Sequence, residues 1–161
     1  MNELRLKLLN RPRVTINDSP LTHWALQSLA LLAYLTVTGC SHSRAALAGM
    51  LWPDCSETNA RSSLRKVLAE LRQRVPAHLA ITRGYVAFDI TSDYWLDVEA
   101  FEQDIDRALA RGYSLKITFH GGEPLVPGVE FYRLATAAAT GKPGLAFCSS
   151  YHKLYYLPPT G

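Results

Sequence analysis

Ser56-Glu-Thr-Asn-Ala-Arg-Ser-Ser-Leu-Arg-Lys-Val-Leu-Ala-Glu-Leu-Arg-Gln-Arg-Val75 is the stretch that decides how this chain folds. Ala60, Leu64, Val67, Leu68 and Leu71 recur at helical spacing and fall within a sector of about 100°, so one face is committed to a core. Ser56 caps the predicted helix, Glu57 sits in its positive first turn, and Pro76 stops it.

The opposite side is then fixed. Thr58, Ser62, Arg65 and Lys66 project away from the core, with Asn59 and Arg61 on the flanks of the polar face. Arg, Lys, Ser and Thr donate to phosphates, and Arg and Asn also match base edges. Gathered in the first three turns, they are what a helix entering a major groove by its N-terminal half presents. An amphipathic helix kept soluble by long cationic side chains accounts for the charges but not for the missing acids. Between Ala60 and Ala69 there is no Asp or Glu, whereas a merely soluble helix interleaves Glu with Lys or Arg at i, i+4. Arg72 and Arg74 extend the positive charge toward the far end.

Past this helix, residues 79–81, Thr82-Arg83-Gly84 and residues 85–90 predict two strands joined by a glycine-containing turn, a hairpin with Arg83 at its tip. A basic tip beside a basic helix can reach a backbone or a minor groove. Before it, Ser43 caps a short helix over residues 43–51 that Trp52-Pro53-Asp54 ends, and residues 21–38 predict a mostly buried helix closed by Gly39. At the start, Leu4, Leu6 and Leu8 alternate with Arg5 and Lys7, and Val14 and Ile16 resume the alternation before Asn17-Asp18-Ser19-Pro20. Short strands in a small antiparallel sheet are expected there.

The charge is uneven. Residues 1–88 hold eleven basic and five acidic side chains, residues 89–106 seven acidic and no Lys or Arg, and residues 107–161 six basic and two acidic, within a net charge of +3. A basic front suits a polyphosphate partner, although a solvated surface explains the charge alone equally well. With 161 residues, 48% of them hydrophobic and 19% charged, the chain is expected to be one globular domain of ordinary size, or a small domain with an appended piece, rather than a disordered or membrane protein. Its greasiest stretch, residues 28–37, falls short of the roughly 18 residues of a span. Met1-Asn-Glu-Leu-Arg5 lacks the pattern of a secretory signal, so a cytoplasmic location and no membrane partner are expected. Cys40, Cys55 and Cys148 are odd in number and far apart, and the five histidines show no metal-ligand pair, so no disulfide framework, metal or cofactor is expected. No nucleophile–base pair or phosphate loop emerges, which predicts a protein that is not an enzyme.

The strings Leu31-Leu-Ala-Tyr-Leu35, His42-Ser-Arg-Ala-Ala-Leu-Ala48, Leu51-Trp-Pro-Asp54, Ala60-Arg-Ser-Ser-Leu-Arg-Lys-Val-Leu-Ala-Glu-Leu-Arg72 and Trp95-Leu-Asp-Val-Glu-Ala-Phe101 together resemble the actinobacterial antibiotic regulatory proteins, the SARP family, over residues 3–106. The resemblance implies an α+β fold: an OmpR-like winged helix with an N-terminal antiparallel sheet and a C-terminal hairpin wing, followed by an incomplete mixed tail. It implies DNA contacts from Asn59, Arg61, Ser62, Arg65 and Lys66 on the third helix and from Arg83 on the wing, to which the helix-face reading adds Thr58. Arg44 is either a phosphate contact or a structural ion-pair partner. Trp52 and Trp95 belong to packing rather than base stacking. RNA polymerase as a partner and a dimer on DNA repeats are implied in the same way.

The organisation that follows is residues 1–92 as the DNA-binding domain, 93–112 as an acidic linker helix and 113–161 as an atypical tail. The linker helix, residues 97–110, places Val98, Phe101, Ile105 and Leu109 on one face and begins what in that family is a helical activation domain, here with room for a stub only. Leu115-Lys-Ile-Thr-Phe-His-Gly-Gly-Glu-Pro-Leu-Val126 resembles a fragment of radical S-adenosylmethionine enzymes, in which Gly121, Gly122, Glu123 and Pro124 would meet the cofactor. The three close cysteines that hold that family's iron–sulfur cluster are absent, so no working site is expected. A divergent activation-domain loop is the other origin for this segment. Lys142 lies in a turn or linker, Gly141-Lys-Pro-Gly144, and not in a phosphate loop.

The residues therefore predict a sequence-specific regulator that binds double-stranded DNA. The alternatives are a truncated or fused product carrying a dead enzyme fragment, and a winged helix used for protein docking. A protein-docking surface is usually poor in Lys at its centre, which weighs against the last.

Overall fold

Leucines at every second position of β1 (Leu4–Lys7) set the inner layer: Leu4 and Leu6 are fully buried while Lys7 faces solvent. In the computed structural model, which describes residues 3–9, 11–119, 142 and 144–149, β1 pairs antiparallel with β2 (Arg13–Ile16), setting Leu6 opposite the buried Val14. A two-residue loop leads to β3 (Ser19–Pro20), with Asn17 at φ 48° and Asp18 at φ 63°. Both loop residues need positive φ, and Asn and Asp tolerate it best after glycine. The expected antiparallel sheet is in fact mixed. A later strand, β7 (Tyr94–Leu96), joins the other side of β1 in parallel, giving the order β3-β2-β1-β7 and adding Leu96 to the buried face.

The first helix, α1 (Leu26–Thr38), begins five residues later than the hydrophobic pattern suggests. His23 sits at φ 60°, the Trp24 indole donates to the Leu21 carbonyl at 2.9 Å, and the Arg74 guanidinium occupies the carbonyls of Thr22 and His23 at 2.8 and 2.9 Å. Those carbonyls are the acceptors a helical turn there would need. At the far end Gly39 adopts φ 59° and donates to the Leu35 carbonyl, as a left-handed cap does.

β4 (His42–Ser43) leads into α2 (Arg44–Leu51), where the Ser43 hydroxyl accepts from the Ala46 amide. α3 (Glu57–Arg74) follows, capped by Ser56 accepting from the Asn59 amide. Its buried residues are Ala60, Leu64, Val67, Leu68 and Leu71, the five that the periodicity singles out. They pack with Leu31, Leu32 and Leu35 of α1, Leu47 of α2 and the leucines of the first sheet in one core. Each such leucine contributes about 1.5–3 kcal/mol of burial.

After a 3-10 turn (Pro76–His78) come β5 (Leu79–Ile81) and β6 (Tyr85–Phe88), which form a three-stranded sheet ordered β4-β6-β5. β6 stops two residues short of the sequence expectation because Asp89 turns the chain, its carboxylate accepting from the amide and hydroxyl of Thr91 at 3.0 and 2.6 Å. The same two bonds hold the Asp89 carboxyl below its ordinary pKa. Tyr94 packs edge-on against Phe88 and donates to Glu99 at 2.8 Å; burial and that carboxylate push its hydroxyl up to about 12.

Residues 1–100 form one compact unit and residues 101–161 another. α4 (Asp97–Ala110) runs across the boundary, and the Asp97 carboxylate grips the amides of Leu8 and Leu9 at the end of β1. The apolar face of α4 that the spacing predicts is only half covered. No residue of this helix is buried, Ile105 and Leu109 are intermediate, and Phe101 is 43% exposed. In the second unit Gly112, at φ 82°, closes the helix, and β8 (Leu115–Phe119) pairs in parallel with β9 (Leu145–Ser149). The Gly121–Pro124 segment, its neighbours through Gly141, and residues 150–161 lie outside the described residues. The fold is α+β, with four helices and antiparallel, mixed and parallel sheets among the described residues.

Candidate nucleic-acid interface

Burying five apolar residues on one side of α3 leaves the other side in water. Thr58, Asn59, Arg61, Ser62, Arg65 and Lys66 are all exposed, so the six positions singled out on this helix share one accessible polar surface. Arg61 forms an i, i+4 ion pair with Glu57 at 2.5 Å, between two well-exposed side chains. Such pairs contribute only a few tenths of a kcal/mol, about 0.3–0.5, and do not prevent the guanidinium from exchanging its partner. Among the described residues no carboxylate pairs with Arg65 or Lys66.

The far end of the same helix behaves differently. Arg72 donates to the Ile81 carbonyl at 3.3 Å. Arg74 pairs with Glu70 at 3.0 Å, bonds the two carbonyls ahead of α1 and lies 4.7 Å from the Trp24 ring centroid. Glu70 is also bound by the Ser28 hydroxyl at 2.5 Å. Sequence reasoning counted these two arginines with the open charge, but they hold loops and a hairpin strand in place.

The hairpin turn sits against the start of α2. The Arg44 amide donates to the Gly84 carbonyl at 3.0 Å, and the turn is closed by Thr82, whose amide and hydroxyl donate to the Tyr85 carbonyl while its hydroxyl accepts from the Tyr85 amide. Gly84 does not have positive φ, and a Cβ there would meet nothing within 4 Å, so glycine is not required by this turn. The pinning brings Arg83 close to Arg44. Together with Arg61 and Arg65 they line a cleft of about 580 Å³, whose other walls are Ala45, Leu64 and Gly84. No acidic residue lines it. Arg44 is not an ion-pair partner among the described residues, and its Nε is buried with no hydrogen-bond partner.

Thr58, Asn59, Ser62 and Lys66 lie on the exposed face without lining this cleft. The predicted residues thus divide into an arginine cluster spanning three elements and a polar group on the helix alone. One candidate escaped the sequence reading: Tyr85, 58% exposed at the foot of the turn. The alternation of Tyr85 and Ala87 with the buried Val86 and Phe88 was the signal that could have found it. Trp52 and Tyr94 pack against the core, in keeping with a packing role for Trp52, whereas the half-buried Trp95 lies under the Arg5 guanidinium at 5.9 Å.

Among the described residues no group of three or more His, Cys, Asp or Glu could hold a metal, and no helix is long and apolar enough to cross a membrane. Comparison with known protein families finds no matching model, and comparison with curated proteins finds no match.

Proposed function

We propose that this chain is a sequence-specific regulator that binds double-stranded DNA through a winged-helix domain. In this reading α3 lies in the major groove and the β5–β6 hairpin is the wing on the backbone. The observation that carries it is the acid-poor polar face over the first three turns of α3, open to solvent and flanked by the Arg83 turn. An order of three helices and a hairpin, preceded by a small sheet, supports the same reading. Asn59 and Ser62 are assigned to base edges. Lys66 and Thr58 are assigned to phosphates, and the four arginines of the cleft to the backbone beside the groove. Contact with RNA polymerase and pairing of two copies on DNA repeats belong to the same proposal, and no residue is assigned a catalytic role.

Selection of bound duplexes from a random pool, repeated at two salt concentrations, tests it. Enrichment of a common sequence is expected, with affinity that falls steeply as salt rises. A pool that emerges as random as it entered would contradict the reading.

A further inference from the structure

Resting on the DNA-binding reading above, the geometry points to a second ligand for the same face. The cleft between α2, α3 and the hairpin turn is an anion site that takes a free polyphosphate, such as pyrophosphate or the phosphate end of a nucleotide, in competition with the DNA backbone.

Four arginines from three separate elements line one cleft with no acidic residue among its walls. Arg61 already shares an exposed ion pair with Glu57, but Arg44, Arg65 and Arg83 have no carboxylate partner among the described residues, and an anion between the four offsets their mutual repulsion. Arg44 sharpens the argument. It is the first residue of α2, the end of a helix dipole at which a cation is disfavoured, and the first turn of that helix holds no acid. The planar fork of arginine matches tetrahedral oxyanions through paired N–H groups. The cleft's volume of about 580 Å³ falls within the roughly 300–1,000 Å³ of small-ligand sites and leaves room for more than one phosphate. Because the same four arginines also meet the DNA backbone in the proposed function, an occupied cleft and a bound duplex exclude each other. The duplex affinity of the chain then follows the concentration of free polyphosphate.

The test is calorimetric titration of the full chain with sodium pyrophosphate, with ionic strength held constant by sodium chloride, followed by displacement of a labelled duplex by the same anion. One pyrophosphate per chain is expected. Arg44→Met, which keeps the apolar bulk of the stem, should weaken it at least tenfold. Arg83→Gln, on the exposed turn and clear of the core, should weaken it severalfold and decides the matter if the Arg44 variant fails to fold. Lys7→Gln, an exposed cation of β1 with the same change of charge, should leave the affinity within twofold. The concentration that displaces duplex should match the calorimetric Kd. Absence of saturable binding at constant ionic strength, or equal losses in the Lys7 and Arg83 variants, overturns the proposal. A chain that binds duplex but ignores pyrophosphate loses this inference and keeps the DNA reading. A chain that binds one pyrophosphate and shows no duplex preference keeps the anion site and loses the DNA reading.

Discussion

The two ends of α3 carry the same kind of side chain and use it in opposite ways. Arg65 and Lys66 near the start stand in water with no carboxylate partner among the described residues, and Arg61 shares only an exposed pair with Glu57. Arg72 and Arg74 near the end are tied to backbone carbonyls, to Glu70 and to the Trp24 ring. The difference lies in what surrounds each end. The last turns pass beside the chain entering α1 and the strand leaving toward the hairpin, where unpaired carbonyls need donors. The first turns have only solvent on their outer side. A count of positive charge along the helix treats the two ends alike, and only the surroundings separate an arginine that holds the fold from one that is free to meet a ligand.

The comparison can be broken by substitution. Arg74→Ala removes an ion pair, two hydrogen bonds to carbonyls and a ring contact, and should destabilise the domain by about 2 kcal/mol in urea unfolding, with duplex affinity of the folded protein unchanged within twofold. If instead it left stability intact and weakened DNA binding, the division of the helix would be wrong. At the other end, Asn59→Ala should cost about 1–3 kcal/mol at a preferred site and little on random duplex, with the midpoint of unfolding unmoved. Arg65→Ala should weaken every duplex by about tenfold, about 1.4 kcal/mol, and lower the slope of log affinity against log salt by about one. A loss confined to the preferred sequence would move Arg65 from the backbone to a base edge.

Tyr94 offers a control far from both ends in sequence. Its hydroxyl, raised to about 12 in the folded chain, ionises near 10 when unfolded, so folding favours the neutral form. The stability this supplies is fully present below pH 10 and is lost as the pH rises from there through about 12. Tyr94→Phe should remove that alkaline step from a series of unfolding curves and leave the curves near neutral pH parallel to the parent. The smallest effect is expected from Glu57→Gln, which frees Arg61 from an exposed pair. Stability should fall by no more than about 0.5 kcal/mol, while duplex affinity rises severalfold.

Much of the fold was legible because it rests on short-range rules. The five buried residues of α3, the caps at Ser43, Ser56 and Gly39, and the hairpin after Ile81 all follow from spacing and from local hydrogen bonding. What escaped depends on partners distant in sequence. The parallel addition of β7 to β1 links residues some ninety positions apart, and no local pattern in Tyr94–Leu96 reports it. The late start of α1 depends on Arg74 reaching back about fifty residues to two carbonyls. The candidate site divides along the same line. Which α3 side chains face water follows from periodicity, and all six are exposed. That Arg44 and Arg83 join Arg61 and Arg65 in one cleft depends on the bond between the Arg44 amide and the Gly84 carbonyl, which residue spacing does not contain.

The central claim is that duplex DNA is met by the early turns of α3 and the adjoining hairpin turn. Backbone amide shifts of the labelled full chain, recorded as a selected duplex is added, address it most directly. The account predicts that the largest changes fall on residues 57–66 and 82–85 and at the start of α2, with residues 70–75 and β8 little affected. Changes centred on α4 or on the outer strands of the first sheet, or none at all, would contradict it.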